Sequence, residues 1–128
     1  MKTLLILRHA KSSWKDDRLP DHDRPLNKRG KRDAPKMGKL MQTKGLVPDL
    51  ILCSTAKRAQ KTCQFVSEES GYDGEILLDR DLYAFESTVY LEKLSQIDKR
   101  YQIVLLIGHN PGLEELLDGL YNSGRFRD

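Results

Sequence analysis

Apolar positions in this chain fall into four short unbroken runs, each followed by a stretch in which apolar residues return at helical spacing. The runs lie within residues 3–7, 49–53, 75–78 and 102–107, each after one polar residue, and the last is the most apolar. Runs that are apolar throughout, with no in-out alternation, indicate strands covered on both faces. Residues 28–44 predict a helix, with Asn27 as its N-cap and Gly45 as its stop. Pro35 is expected to weaken that helix or break its first turns, because proline lacks the donor N–H. Residues 56–69 predict a second helix, with Ala59, Cys63 and Val66 on one stripe. Residues 87–97 predict a third. Pro111 opens a fourth in its first turn, where a missing N–H does no harm. Residues 16–26 are polar, include Pro20 and Pro25, and read as a loop.

Strands alternating with helices predict an α/β fold of three layers, α/β/α, around a mainly parallel central sheet. The 128 residues suit one domain, residues 1–128. In such sheets ligands gather at the carboxyl ends of strands. That rule selects three places: Arg8-His9, residues 54–58, and Gly108-His109-Asn110.

Composition narrows the function classes. No apolar run approaches the roughly 20 residues of a membrane span. The four-residue apolar stretch near the N-terminus is shorter than a signal-peptide core of about 7–15 residues. A cytoplasmic protein without a membrane partner is expected. Cys53 and Cys63 read as reduced core thiols. Residues 1–40 carry 12 Lys/Arg against 5 Asp/Glu, and residues 41–128 carry 10 against 14. The basic first third suits an anionic ligand, although an ordinary solvated surface would look the same. Nucleic acid is disfavoured, since five aspartates interrupt the basic residues and Trp14 is the only aromatic among them. The three histidines lack metal-ligand spacing, so no metal and no cofactor are expected.

The three strand ends hold two arginines and two histidines. Arg8 and His9 are neighbours, and successive strand residues point to opposite faces. The chain must therefore leave strand geometry there if both serve one site. Ser54 or Thr55 can cap the next helix, placing Arg58 in its first turn. His109 lies between a buried strand and a helix start, where anions are favoured. Taken singly, Arg8-His9 reads better as a solvated strand end, Arg58 equally well as a surface arginine after a cap, and His109 equally well as a packed histidine. Together they suit a phosphoryl group. Arginine forks grip phosphate oxygens, one neutral imidazole can attack phosphorus, and the other can hydrogen-bond a phosphate oxygen. Nearby arginine charges are expected to keep the attacking ring neutral.

These residues also carry a resemblance. Leu7-Arg8-His9-Ala10-Lys11-Ser12-Ser13-Trp14 is similar to the opening signature of the histidine phosphatase superfamily, in the form typical of SixA-type phosphohistidine phosphatases. Asp23-Arg24-Pro25-Leu26-Asn27 with Gly30 resembles a second motif, and Ser54-Thr55-Ala56-Lys57-Arg58-Ala59-Gln60-Lys61-Thr62 a third. Leu82-Tyr83 resembles a weaker fourth, and Gly108-His109-Asn110-Pro111-Gly112 the last. The resemblance implies a phosphoglycerate mutase-like fold and a metal-independent phosphatase. It implies a phosphohistidine intermediate on His9, with phosphate contacts from Arg8, Arg58 and His109. Arg24 would support the pocket rim, and Ser12 joins the substrate-binding set. The implied substrate is protein phosphohistidine or a small phosphate ester; the oligomeric state stays open.

Two departures from the family pattern stand out. Larger members carry an acidic proton donor in an inserted segment that this sequence lacks. Glu86 is the candidate donor here, with Asp16 and Asp17 as weaker ones. The family also continues past the last helix with further sheet strands, whereas this sequence reaches Asp128 soon after Asn122, which puts one sheet edge in question. Three alternatives remain. A small-molecule phosphomonoesterase of the same superfamily and a phosphohistidine-binding module without turnover both fit the motifs. A cysteine phosphatase built on Cys53 and Arg58 fits poorly, with four residues between them where that chemistry uses five.

Overall fold

The computed structural model describes residues 1–122. Four parallel strands form one sheet in the order β1-β4-β2-β3: β1 Thr3–Arg8, β2 Leu50–Ser54, β3 Ile76–Asp79 and β4 Ile103–Gly108. The helices are α1 Lys28–Thr43, α2 Lys57–Ser70, α3 Ser87–Ser95 and α4 Gly112–Asn122. Two 3₁₀ turns, Asp21–Asp23 and Arg80–Leu82, sit in the connections. The expected three-layer α/β/α architecture is the observed one.

The central strands show why their sequences are apolar throughout. In β4, Val104 and Leu106 pack on one face with Tyr90, Leu94 and Leu113. Leu105 and Ile107 pack on the other with Ala59, Cys63 and Val66. All four β4 side chains are fully buried, and each such burial is worth roughly 1.5–3 kcal/mol. Thus α1 and α2 cover one face, while α3 and α4 cover the other. The edge strands are less covered: β1 is half-buried, and Ile76, Leu77 and Leu78 of β3 are 40–52% exposed. Any sheet strand from residues 123–128 lies outside the described residues.

Asn27 caps α1 as expected, its Oδ1 accepting the Gly30 N–H at 2.8 Å. A Cβ on Gly30 would collide with the Lys11 carbonyl oxygen, so the motif glycine lets α1 start hard against the segment after β1. The expectation for Pro35 is corrected: α1 runs through it unbroken. Packing against α2 is the reason. Ala34, Gly38 and Met41 form its buried face, and Gly38 sits so close that a Cβ would meet the Val66 carbonyl oxygen at 2.7 Å. Tertiary contact outweighs the lost helix hydrogen bond. The expected cap of α2 is corrected as well. Ala56 is its N-cap residue and supplies no side-chain bond, while Ser54 Oγ accepts the Ala56 N–H at 3.2 Å.

Candidate active site

β1 and β4 end side by side, Arg8 opposite Gly108, and the His9 N–H donates to the Gly108 carbonyl at 3.3 Å. Strand geometry stops at Arg8, so Arg8 and His9 both line one cleft of about 480 Å³. Arg58, His109, Arg24 and Ser12 line it too. The structure therefore brings together the four proposed catalytic residues and both supporting ones. A wider depression of about 910 Å³ adjoins, along α2, but contains none of the four.

His9 is held by both ring nitrogens. Nδ1 lies 2.7 Å from the Ala10 carbonyl oxygen, which can only accept, so Nδ1 carries the proton. Nε2 is then an acceptor, and Arg58 Nε donates to it at 3.2 Å. The segment after His9 is pinned by Thr62, whose Oγ1 accepts the Ala10 N–H at 3.0 Å and donates to the Arg58 carbonyl at 2.8 Å. One threonine thus fixes the segment after His9 to the helix that carries Arg58.

His109 is almost wholly buried, its ring centroid 5.1 Å from that of His9. Its Nε2 is 2.8 Å from Ser54 Oγ, and its Nδ1 is buried with no partner among the described residues. A buried polar nitrogen left unmatched is costly unless a ligand completes it. Tyr90 seats this turn. Its hydroxyl donates toward the Leu82 and Ala84 carbonyls at 3.1 and 2.8 Å and accepts the His109 N–H at 2.9 Å. Side chains on Gly108 or Gly112 would collide with the Tyr90 ring or hydroxyl at 2.6–2.8 Å, which explains both motif glycines.

Burial is the largest cause lowering both histidine pKa values. His9 falls to about 4, with the charges of Arg58, Arg8 and Arg24 adding to burial and the Ala10 hydrogen bond opposing it. His109 falls to about 3 through burial and then the charge of Arg58. The arginines therefore help as expected, but desolvation leads. Both rings are neutral at pH 7. An NMR titration is expected to show His9 protonating below pH 5; a midpoint near 6.5 would refute this electrostatic picture. Each folded pKa lies below the unfolded value, so the unfolded chain takes up protons first. Stability is accordingly expected to fall as pH drops from about 6.5 toward 4.

The two arginines differ in setting. Arg8 is exposed at the end of β1, its side chain with no hydrogen bond or ion pair among the described residues. Arg58 is buried, and besides His9 it meets Asp21: Nη1 donates to the Asp21 carbonyl at 2.5 Å and Nη2 to Oδ2 at 2.9 Å. Arg24 is also buried. It donates to Asp21 Oδ1, to Ser12 Oγ at 2.7 Å and to the Ser13 carbonyl, and its guanidinium lies 3.4 Å over the Trp14 ring.

Asp21, Thr62 and Tyr90 are the residues that sequence reasoning did not single out. Thr62 stood within a motif without a role, Tyr90 looked like any helix residue facing the core, and Asp21 was one charge in a polar loop. Glu86 is not brought into the cleft. It stands at the N-cap of α3 and lines a separate depression with Arg80 and Lys93. Asp16 pairs with Arg18 at the surface, and neither it nor Asp17 lines the cleft. Cys53 is fully buried beneath the β2–α2 turn, its thiol donating to the Ser54 and Ala59 carbonyls. Its contact with Cys63, together with burial, pushes that thiol far up, the opposite of an activated nucleophile.

Residues 4–104 match the family model of the histidine phosphatase superfamily, branch 1. An uncharacterized chloroplastic protein of Arabidopsis thaliana is 35% identical over 127 residues, covering 89% of this chain and 56% of the relative. An uncharacterized protein of Mycobacterium tuberculosis is 33% identical over 105 residues, covering 82% of this chain and 63% of the relative. The chain thus spans roughly three-fifths of the length of these relatives. Among solved structures, a protein assigned as the phosphohistidine phosphatase SixA of Agrobacterium tumefaciens superposes with a TM-score of 0.86 at 32% identity, covering 95% of this chain and 78% of that one. A protein histidine phosphatase SixA complexed with tungstate shares the fold, with a TM-score of 0.78 at 21% identity and coverage of 91% and 75%.

Proposed function

This chain belongs to the histidine phosphatase superfamily, and from that premise we propose that it is a phosphatase acting through a phosphohistidine intermediate on His9, with protein phosphohistidine as its substrate. The observation that carries the reading is the tautomer of His9. Ala10 holds the Nδ1 proton, so Nε2 keeps its lone pair where cationic groups converge, and there it accepts from Arg58 Nε until a phosphoryl group takes over that donor. Arg8, Lys11, Arg24, Arg29 and Arg58 line the cleft against Asp21 and Asp33, which favours a dianionic group.

In the first step the Nε2 lone pair forms a bond to phosphorus as the bond from phosphorus to the leaving group breaks. Arg8 and the Nε edge of Arg58 meet the phosphoryl oxygens. If the Ser54 hydroxyl donates to His109 Nε2, the Nδ1 of His109 carries a proton for a phosphoryl oxygen and loses its orphan status. In the second step water attacks phosphorus, and the electron pair of the N–P bond returns to His9. The proton of that water passes to solvent.

Substrate class follows from the leaving group. An alkoxide needs a general acid, whereas an imidazole already protonated departs neutral. The cleft carboxylates are Asp21, bound to two arginines, and Asp33, which lies 3.7 Å from Arg29. Both are paired with arginines and no unpaired carboxylate lines the cleft among the described residues, which favours phosphohistidine over alkyl esters. The arginines and lysine of the cleft supply the positive charge that a phosphoryl group needs, which favours metal-independent chemistry. The cytoplasm is the proposed location, in keeping with two free buried cysteines. Among the described residues no helix is long and apolar enough to cross a membrane.

The test is turnover of a phosphohistidine carrier protein, an aryl phosphate and an alkyl phosphate, each with and without chelator. The first two are expected to be cleaved, the alkyl ester at least tenfold more slowly, with no chelator effect and with inhibition by vanadate. Activity lost to chelator and restored by a divalent metal would overturn the mechanism. Preference for the alkyl ester would redirect the reading to a small-molecule phosphatase, and phosphoprotein binding without turnover to a binding module.

A further inference from the structure

Asp21 occupies an unusual position for a carboxylate in a phosphate site. Its Oδ1 accepts from Arg24 Nε and Nη2 at 3.1 and 2.9 Å. Its Oδ2 accepts from Arg58 Nη2 at 2.9 Å and from the Tyr83 hydroxyl, while its backbone carbonyl accepts from Arg58 Nη1. Burial opposes ionisation of this carboxyl, but its hydrogen bonds from Tyr83, Arg58 and Arg24 outweigh that and hold it well below the usual carboxylate range. It is an anion tied to both buried arginines of the cleft.

We infer that Asp21 is the positioning residue of this site, orienting Arg58 toward the phosphoryl group on His9. A guanidinium has two ways to present paired N–H groups: end-on through Nη1 and Nη2, or side-on through Nε and one Nη. Asp21 consumes the end-on fork with its carbonyl and Oδ2 together. The plane of Arg58 is thereby set, and its side edge remains, with Nε 3.2 Å from His9 Nε2. An arginine buried without a carboxylate would be an uncompensated charge, free to rotate toward any acceptor. The 3₁₀ turn Asp21–Asp23 gives the carboxylate its reach. The turn is anchored to the β2–α2 turn, because His22 Nε2 lies 2.9 Å from Thr55 Oγ1, and the His22 ring stacks edge-on against Tyr83. Arg8, which has no such partner, supplies charge without fixed geometry.

This inference rests on the proposed role of His9, yet one of its readouts does not need turnover. In the ligand-free parent, the Arg58 Nε–H is expected to give a distinct, slowly exchanging signal in nitrogen-resolved NMR. Asp21→Ala is expected to broaden or shift that signal into the solvent-exchanged arginine envelope. On the phosphohistidine carrier protein, Asp21→Ala is expected to lower kcat at least tenfold with KM changed less than threefold. Tyr83→Phe, which removes one donor to Oδ2, is expected to change both readouts in the same direction by a smaller factor, and it serves where Asp21→Ala does not fold. An unchanged Arg58 signal in the variants would overturn the inference. So would parental kcat, or tighter vanadate binding with parental kcat, which would make Asp21 a competitor of the phosphoryl group. Absence of turnover in the parent, with the Arg58 signal still dependent on Asp21, would sink the proposed function and leave the positioning role standing.

Discussion

Replacing His9 with alanine is expected to lower phosphatase turnover by roughly 10⁴-fold or more, the scale on which removal of a covalent nucleophile acts. The structure also argues that this loss is chemical. His9 is only partly buried, and its ring is held by single hydrogen bonds at Nδ1 and Nε2 with no place in either apolar cluster. The melting temperature is therefore expected to move by only a few degrees. An independent check is capture of the intermediate. Rapid quench of the parent with a labelled phosphohistidine protein is expected to leave label on His9 in an acid-labile, alkali-stable bond. The alanine variant is expected to leave none. Residual turnover within tenfold of the parent, or label on any other residue, would remove His9 from the mechanism.

Arg58 is expected to give the second-largest effect, and one of a different kind. Its side chain is 3% exposed and supports His9 and Asp21 at once. Lysine keeps the charge but has neither a planar fork nor an Nε–H on a rigid edge. Arg58→Lys is thus expected to lose one or two charge-assisted contacts, each about 1.5–3 kcal/mol, and so about 10–10⁴-fold in kcat/KM. Arg58→Ala is expected to lose at least as much activity and also stability, because Arg24 and Tyr83 alone would remain to satisfy Asp21. Arg8→Ala, at an exposed strand end with no partner, is expected to lose activity while keeping the parental melting temperature. Steady-state kinetics and thermal unfolding of the three variants check this pattern. A fully active Arg58→Lys would show that no bidentate grip operates.

Much of the site was legible because it sits where chain chemistry changes abruptly. A run such as Ile103–Gly108 can only be a strand covered on both faces, and the first polar group after it must lie at the sheet's carboxyl edge. The same reasoning located Arg8, His9, Arg58 and His109. The glycines of the last motif were visible as letters, but their reason was not, since it lies in Tyr90 packing across from another helix. Glu86 illustrates the opposite failure. Its nearness in sequence to Leu82-Tyr83 suggested nearness to the phosphate, yet the start of α3 places it in a different depression.

Taken alone, the sequence determined the alternation of strand and helix, the two-sided burial of the central strands and the three strand ends that carry the arginines and histidines. These follow from local periodicity and from the cost of exposing apolar surface, which a linear pattern records. Only the tertiary structure decided that β1 lies beside β4, that α1 survives Pro35, and that Asp21 reaches Arg58, 37 residues away, and Tyr83, 62 residues away. A carboxylate in an aperiodic loop has no signature of its own. Its role comes from the directions and distances of the donors it meets, and those exist only once the sheet and helices have packed.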